Sequence, residues 1–214
     1  MRTPDETPPK HGMSIDMREI TNICVYCGSS MGADPGHTAA ARALGGELAR
    51  AGIGLVYGGG AIGLMGVLAK ATIAAGGVVT GIIPEFLDER EIPFAGATDL
   101  IIVKDMHTRK RLMFERSDAF VALPGGVGTL EELTEQLTWI QLGRHTKPLV
   151  IANIAGFWRP LLSLFAHMHN EQFIREDYDV RYLVAERVED ILPMIFAAAR
   201  HAPDISETAI TERL

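Results

Sequence analysis

Short apolar runs alternate with longer segments of helical periodicity from Ile20 onward. The apolar runs are rich in Val, Ile and Leu and are bounded by Gly, Pro or Asp, which is typical of strands buried on both faces of a sheet. They predict strands at residues 23–26, 55–57, 78–83, 100–103, 120–123 and 149–152, and the segments between and after them predict helices at residues 37–50, 64–75, 108–115, 129–142, 158–173 and 188–200. This alternation predicts an α/β fold, with a Rossmann-like, doubly wound parallel sheet and helices on both faces.

Two of the predicted helices carry an apolar stripe at helical spacing. The stripe of the fourth helix is formed by Leu130, Leu133, Leu137 and Ile140. That of the fifth helix is formed by Leu161, Leu164, Phe165 and Met168. We expect both stripes to pack in the core, since an apolar face of a helix in an α/β fold covers the sheet.

The length of 214 residues suits one domain, and 47% hydrophobic with 22% charged residues lies near the globular average. This composition excludes disordered, coiled-coil and collagen-like classes. No repeat, linker or low-complexity tract divides the chain. We therefore predict a single Rossmann-like domain over residues 19–202, with a flexible polar leader at 1–18 and a frayed tail at 203–214.

The charge balance and the cysteines narrow the partners and the location. Twenty basic and 27 acidic residues give a formal net charge of −7, which disfavours a nucleic-acid partner but allows a small phosphorylated ligand. Two cysteines are too few to stabilise a domain of this size by disulfide bonds, which favours a reducing, cytoplasmic location. Cys24 and Cys27 are three apart in a predicted strand, so we expect them on opposite faces, buried rather than metal-binding. The sequence contains no apolar run of about 18 residues, so no membrane partner is predicted.

Glycine-rich or serine-rich turns follow three predicted strands, where ligands of doubly wound sheets bind. They read CGSS at 27–30, GGGAIGLMG at 58–66 and PGGVGTLEE at 124–132. In the first turn, Ser29 is a candidate for a phosphate or base contact, or for a plain turn role. In the second, Gly58, Gly60 and Gly63 satisfy GxGxxG, and Glu85 follows where a ribose-binding acid would lie. That turn predicts either a dinucleotide site or close helix–strand packing.

The third turn is the more specific signal. Gly125, Gly126 and Gly128 leave backbone amides uncovered, and Thr129 is expected to open a helix. Unpaired N–H groups at a helix start, with the helix dipole behind them, form an anion site that suits a terminal phosphate. The alternative is that Thr129 and Glu132, at capping-box spacing, only cap the helix.

Two charged features flank this turn. Glu132, expected in the first helical turn, should be stabilised as the anion by the dipole, and so should be charged at neutral pH. Upstream, Arg109, Lys110 and Arg111 lie near the start of the helix after the fourth strand. Cations are disfavoured at a helix start, so this cluster predicts either a solvated face or an anionic ligand.

These segments resemble a known family. MHTRKRLM at 106–113, followed by SDAFVALPGGVGTLEELTEQLTWIQLG at 117–143, is similar to the Lonely Guy (LOG) family of cytokinin-activating phosphoribohydrolases, whose signature is PGGxGTxxE. CVYCGSS and VYGGGAIGLMG also follow the family pattern, so the resemblance runs from about residue 20 to at least residue 156. The family often carries the label lysine decarboxylase, but nothing in this chain resembles a pyridoxal-phosphate lysine site.

The resemblance implies hydrolysis of the N-glycosidic bond of a small-molecule nucleoside 5′-monophosphate, either AMP or N6-prenylated AMP. It also implies a homodimer or larger assembly, with no metal and no bound redox cofactor. Arg109 and Glu132 would be catalytic, and residues 126–132 would hold phosphate and ribose. Further substrate contacts are implied for Glu91, Lys110 and Thr138. Position 127 is Val where many members carry Tyr, which matters little if only the Val127 amide binds.

The resemblance and the residues agree on the chemistry. Cleavage of a ribosyl C–N bond builds positive charge on the sugar, which an ionised Glu132 would stabilise while orienting water. Arg109 would aim Glu132 by a bidentate contact, or else brace the phosphate or ribose. Two other functions remain alternatives on this fold: a non-catalytic nucleotide or cofactor carrier, and a nicotinamide-dependent oxidoreductase using the second turn.

Overall fold

The computed structural model describes residues 20–87, 92–174 and 181–201, so the predicted leader and tail lie outside the described residues. Its strands are β1 Asn22–Tyr26, β2 Gly54–Tyr57, β3 Val79–Pro84, β4 Asp99–Val103, β5 Ala119–Ala122, β6 Leu149–Ala152 and β7 Leu183–Ala185. Its helices are α1 Pro35–Arg50, α2 Gly63–Ala74, α3 Met106–Glu115, α4 Val127–Gln141, α5 Arg159–Asn170 and α6 Ile191–His201. None of these helices has the length and apolarity that a membrane crossing requires.

The strands form one parallel sheet in the order β4-β3-β2-β1-β5-β6-β7. The chain builds outward from β1 to β4 and then returns to the other side of β1 with β5. The direction of winding therefore reverses between β1 and β5, and this switch point is where doubly wound sheets open a crevice for ligands. In the register, Cys24 lies opposite Phe120 and Tyr26 opposite Ala122.

Two apolar clusters cover the two faces of the sheet. One packs the sheet against α1, α2 and α6, and the other packs it against α3, α4 and α5. Cys27 belongs to the first cluster and Cys24 to the second, and both are free thiols. The prediction that the two cysteines are buried on opposite faces is therefore confirmed.

The predicted α/β, doubly wound fold is confirmed, and each predicted strand and helix is present. Strand β7, at the edge of the sheet, was not predicted because a three-residue run is too short to show a period. Helix α4 begins two residues earlier than predicted, at Val127. Helix α5 ends earlier than predicted, at Asn170, and leaves Phe173 in a following turn.

The two apolar stripes differ in how far they are buried. Leu133 and Leu137 of α4 are buried as predicted, with the rest of that stripe packed against them. The core prediction for α5 is wrong for Leu164 and Met168, whose exposed fractions are 45% and 36%. Helical spacing shows that a helix has an apolar face, but it does not show whether the sheet or another surface covers that face.

Close packing of α1 on α2 depends on Gly45. A Cβ at Gly45 would lie 2.6 Å from the Leu68 carbonyl oxygen and 2.9 Å from Thr72 Oγ1. We expect Gly45→Ala to lower the free energy of unfolding by about 1–3 kcal/mol, because the helices must separate. Gly46→Ala is the matched control, since its Cβ would meet only the flexible Arg50 side chain. It should raise stability by roughly 0.5–1 kcal/mol. Urea unfolding that shows equal effects for the two variants would contradict this packing.

Candidate functional site

A cavity of about 190 Å³ opens at the switch point between β1 and β5. Residues 25–29 line one side and residues 126–129 the other, while Gly58, Arg109 and Glu132 complete the polar part of the wall. The two loops are joined directly, because the Gly28 amide donates to the Pro124 carbonyl oxygen at 3.1 Å. The first and third turns are therefore brought together as the topology predicts.

The amino end of α4 forms part of this wall. Gly126 is its N-cap residue, and a glycine has no side chain that could cap the helix. The capping-box interpretation is therefore wrong: Thr129 is the third helical residue, and Glu132 lies in the second turn rather than the first. A Cβ at Gly126 or Gly128 would meet no described atom within 4 Å, so open space lies over this turn. The first helical amides are left without intrahelical partners and face the crevice.

Gly125 brings the turn close to the β1 loop. A Cβ there would overlap the Thr129 side chain and would lie 2.9 Å from the Gly28 amide nitrogen. Only glycine permits this approach, which narrows the crevice enough for both loops to reach one small ligand.

Arg109 is buried at the wall of the cavity, with an exposed fraction of 6%. Its Nη2 donates to the Gly58 carbonyl oxygen at 3.1 Å, and its Nη1 lies 3.6 Å from Met106 Sδ. Its Nε is buried and has no hydrogen-bond partner among the described residues. A buried guanidinium with an unmet donor is costly unless a ligand supplies an acceptor. This favours an oxygen-rich, anionic ligand in the cavity.

Glu132 is half-buried and faces the same cavity. Burial raises the pKa of Cys24 and Cys27, and the negative charge of Glu132 raises both further. Both thiols, of which Cys27 lines the cavity, are therefore held protonated, which makes them poor nucleophiles and poor metal ligands. In the parts of the chain that the structure describes, no group of three or more His, Cys, Asp or Glu side chains could hold a metal ion.

The three basic residues of α3 separate. Lys110 Nζ lies 2.6 Å from Glu131 Oε1 and 2.6 Å from Glu135 Oε2, so it joins α3 to α4. Burial lowers the pKa of Lys110, but the hydrogen bonds to the two carboxylates outweigh it, and the net pKa is raised. Arg111 is exposed and lies 3.9 Å from Glu115. Arg111 is thus the solvated member of the cluster, Lys110 has anionic partners within the protein, and Arg109 is the one of the three that lines the cavity.

The other predicted site residues divide into two groups. Ser29 and Val127 line the cavity, whereas Gly60, Lys110 and Thr138 do not. Gly60 forms an isolated bridge with Pro93. Thr138 Oγ1 donates to the Thr134 carbonyl within α4. Glu91 lies outside the described residues. The substrate contacts of all of these residues stay predictions.

Four lining residues were missed by the sequence analysis: Val25, Tyr26, Met65 and Met113. The position of Tyr26, at the end of the first strand and one residue before the CGSS turn, was a usable signal. The two methionines carry no such signal, because their positions read as ordinary core residues of helices.

The GxGxxG turn is used for packing. The Leu64 and Met65 amides, at the start of α2, donate to the Gly28 carbonyl oxygen at 3.0 and 3.3 Å. Gly63, with φ of +61°, is pressed against the backbone of Ser29. Amides at the start of α2 are therefore occupied by the β1 loop, which favours the close-packing interpretation over a pyrophosphate site.

Together, the parallel sheet and the uncapped glycine-rich turn define a Rossmann-like α/β protein with an anion-accepting crevice at its switch point. Among solved structures, the chain is similar to the molybdenum cofactor binding protein from the phototrophic bacterium Rippkaea orientalis. The TM-score is 0.64 at 22% identity, covering 84% of this chain and 98% of that one. At this identity the likeness shows the fold alone.

The family follows from the sequence comparisons. The family profile described as "Possible lysine decarboxylase" matches residues 65–195. The chain is 50% identical over 155 residues to the "Probable cytokinin riboside 5'-monophosphate phosphoribohydrolase LOGL1" of Oryza sativa subsp. japonica, covering 72% of this chain and 70% of that protein. It is 45% identical over 175 residues to the cytokinin riboside 5'-monophosphate phosphoribohydrolase of Rhodococcoides fascians, covering 81% and 88%. The chain belongs to the LOG family.

The start of α3, which carries Arg109, is fixed by Asp105. Its carboxylate accepts from the Thr108 amide at 2.8 Å, and this bond, with that from the Thr108 hydroxyl, lowers the pKa of Asp105 below its ordinary value of 3.8. We expect Asp105→Ala to lower the unfolding temperature at neutral pH, because the cap is lost. The carboxylate contributes fully above pH 3.8 and loses its contribution as the pH falls through the lower folded pKa.

Thermal unfolding from neutral pH to about pH 2.5 measures this dependence. The gap between the wild type and Asp105→Ala should narrow below pH 3.8. Asp105→Asn is the control, since it keeps a capping oxygen that does not titrate and should stay above the alanine variant throughout. A gap between wild type and alanine that is unchanged at low pH would contradict the charged cap.

Proposed function

We infer that the chain is a phosphoribohydrolase that acts on AMP or on N6-prenylated AMP, the latter being a cytokinin riboside 5′-monophosphate. It hydrolyses the N-glycosidic bond and releases the free base and ribose 5-phosphate. The observation that carries this inference is that the uncapped start of α4, buried Arg109 and Glu132 face one small cavity. The relatives named as cytokinin riboside 5'-monophosphate phosphoribohydrolases support the same activity.

The phosphate is assigned to the turn before and at the start of α4. Backbone amides over residues 125–129, with the helix dipole behind them, match a phosphate in charge and geometry. The open space over Gly126 and Gly128 leaves room for the phosphate oxygens. Binding at this remote group positions the sugar, so that the free energy of phosphate binding lowers the barrier at the bond being cut.

Glu132 is assigned to the reacting carbon. As the bond from C1′ to the base nitrogen breaks, positive charge develops on the ribose, and a carboxylate beside it stabilises that charge. Glu132 also orients a water for attack at C1′. The hydroxyl of this water forms the new bond to C1′, and the remaining proton is transferred to the departing base. Glu132 lies in the second turn of α4, so the phosphate amides and this carboxylate share one rigid helix.

Arg109 is assigned to the same reaction in one of two roles. Its buried positive charge either aims Glu132 or binds oxygens of the sugar-phosphate through Nε, which has no hydrogen-bond partner among the described residues. The two roles differ in what removal of the side chain does to substrate binding, which makes them separable by experiment.

We further propose a cytoplasmic homodimer. The two free, buried cysteines support a reducing compartment. The exposed face of α5 supports the dimer, because Leu164, Met168 and the following Phe173, with an exposed fraction of 83%, form an apolar surface of the kind that marks interfaces. In a two-fold dimer this surface would meet its own copy.

The activity is tested by incubating the protein with AMP and, in parallel, with isopentenyl-AMP. We expect free base and ribose 5-phosphate from one or both, detected by chromatography. Glu132→Gln should lower kcat roughly a thousandfold while leaving substrate affinity within about threefold, since the amide keeps the shape but loses the charge. No base release by the wild type would refute the function, and a fully active Gln variant would remove Glu132 from catalysis.

Arg109→Ala should lower kcat/KM by about a hundredfold or more. Calorimetric titration with AMP then separates the two roles of Arg109. Retained affinity with lost turnover assigns Arg109 to aiming Glu132, and lost affinity assigns it to binding the sugar-phosphate. Near-normal kcat/KM would exclude it from the mechanism.

The dimer is tested by sedimentation velocity. We expect the wild type at twice the chain mass of 23.3 kDa and the double variant Leu164→Glu, Met168→Glu at the single mass, because four buried charges would face each other across the two-fold axis. Val78→Glu, which charges an exposed apolar residue beside β3, is the control and should remain dimeric. A monomeric wild type, or a double variant that still dimerises, would overturn the proposed interface.

A further inference from the structure

The first glycine of the GxGxxG turn lies against the guanidinium of Arg109. Gly58 follows β2 directly and lines the cavity. Its carbonyl oxygen accepts a hydrogen bond from Arg109 Nη2 at 3.1 Å. A Cβ built on Gly58 would overlap that same Nη2 and would lie 3.1 Å from Met65 Sδ. The carbonyl of Gly58 therefore holds the guanidinium, and the missing side chain of Gly58 provides the space for it.

The backbone of this turn does not itself demand glycine at position 58. The left-handed conformations belong to Gly59, with φ of +82°, and Gly63, with φ of +61°. Gly58 has no such φ, so an alanine there is compatible with the local backbone. The contact with Arg109 is thus what chiefly excludes a side chain at Gly58, and the 3.1 Å distance to Met65 Sδ adds to it.

The other glycines of the same segment contact different groups. Gly63 is pressed against the backbone of Ser29, and Gly66 would place a Cβ on the carbonyl of Ala61. These contacts shape the two loops and would exist without Arg109. Gly58 is therefore distinct among them, since its closest contact is with a charged side chain of the candidate active site.

An arginine needs such a support because its side chain is long and flexible. The backbone of Arg109 is fixed by the capped start of α3, but four further torsions separate it from the guanidinium. The Gly58 carbonyl holds Nη2 and Met106 Sδ lies near Nη1, which leaves Nε for another acceptor. A preorganised charge of this kind costs no reorganisation during the reaction.

We propose that Gly58 is a positioning residue of the phosphoribohydrolase, and that it acts through Arg109 by aiming and making room for the guanidinium. This proposal rests on the proposed function. It also accounts for the first glycine of a GxGxxG turn without any dinucleotide.

The test is Gly58→Ala, alone and combined with Arg109→Ala. Alone, we expect kcat/KM for the better of AMP and isopentenyl-AMP to fall about tenfold or more, with the same division between kcat and KM that Arg109→Ala shows. In the Arg109→Ala background the added Cβ has no guanidinium to meet. There, Gly58→Ala should change the residual kcat/KM and the AMP dissociation constant by less than about twofold.

Thermal unfolding keeps the test informative if Gly58→Ala folds poorly. The unfolding midpoint of the double variant should return to that of Arg109→Ala, because the side chain that clashes with the Cβ has been removed. Gly46→Ala, at a half-buried position of α1 that does not line the cavity, is the matched glycine-to-alanine control and should keep wild-type kinetics.

The outcomes separate this proposal from the function on which it rests. A wild type that hydrolyses neither nucleotide refutes the function. An active wild type with an equally active Gly58→Ala refutes the positioning role alone. An equal fold-loss from Gly58→Ala in both backgrounds, or an unfolding midpoint that does not recover in the double variant, also overturns it, since Gly58 would then act without Arg109.

Discussion

The parallel pairing of β1 with β5 is the constraint on which the site depends. Their register, with Tyr26 opposite Ala122, places the CGSS turn beside the PGGVGT turn. The hydrogen bond from the Gly28 amide to the Pro124 carbonyl then closes the junction. No long-range ion pair is needed to assemble the crevice, because the ladder of the sheet already fixes both strand ends. The central strands determine where the crevice lies, and the helices then place their charged groups around it.

An acidic protein can hold an anion here because the positive groups are concentrated and shielded. The formal net charge is −7, yet the cavity combines the amino end of α4 with a guanidinium that is almost fully buried. Interactions in such a site are screened less than those on the surface. The overall charge of the chain therefore says little about the small ligands that it binds, although it does bear on extended partners such as duplex nucleic acid.

Much of the architecture was predictable from local pattern, and much of the detail was not. Buried parallel strands appear as continuous apolar runs, so the sheet could be predicted, while the three-residue β7 could not. The glycines around Gly126 located the crevice, but the predicted start of α4 at Thr129 lies two residues after the observed start at Val127. The face of α5 that carries Leu164 was predicted to be buried in the core but is exposed, because periodicity alone does not show what covers an apolar face. That Arg109 pairs with the Gly58 carbonyl could not be predicted, because every residue carries a backbone carbonyl.

The ion pairs of Lys110 with Glu131 and Glu135 have a mechanical consequence. They link α3 to α4 next to Arg109 and Glu132 in the sequence. The helix that carries the guanidinium is therefore tied to the helix that carries the carboxylate. The ion pairs of Lys110 therefore help to hold the spacing between the Glu132 carboxylate and the Arg109 guanidinium.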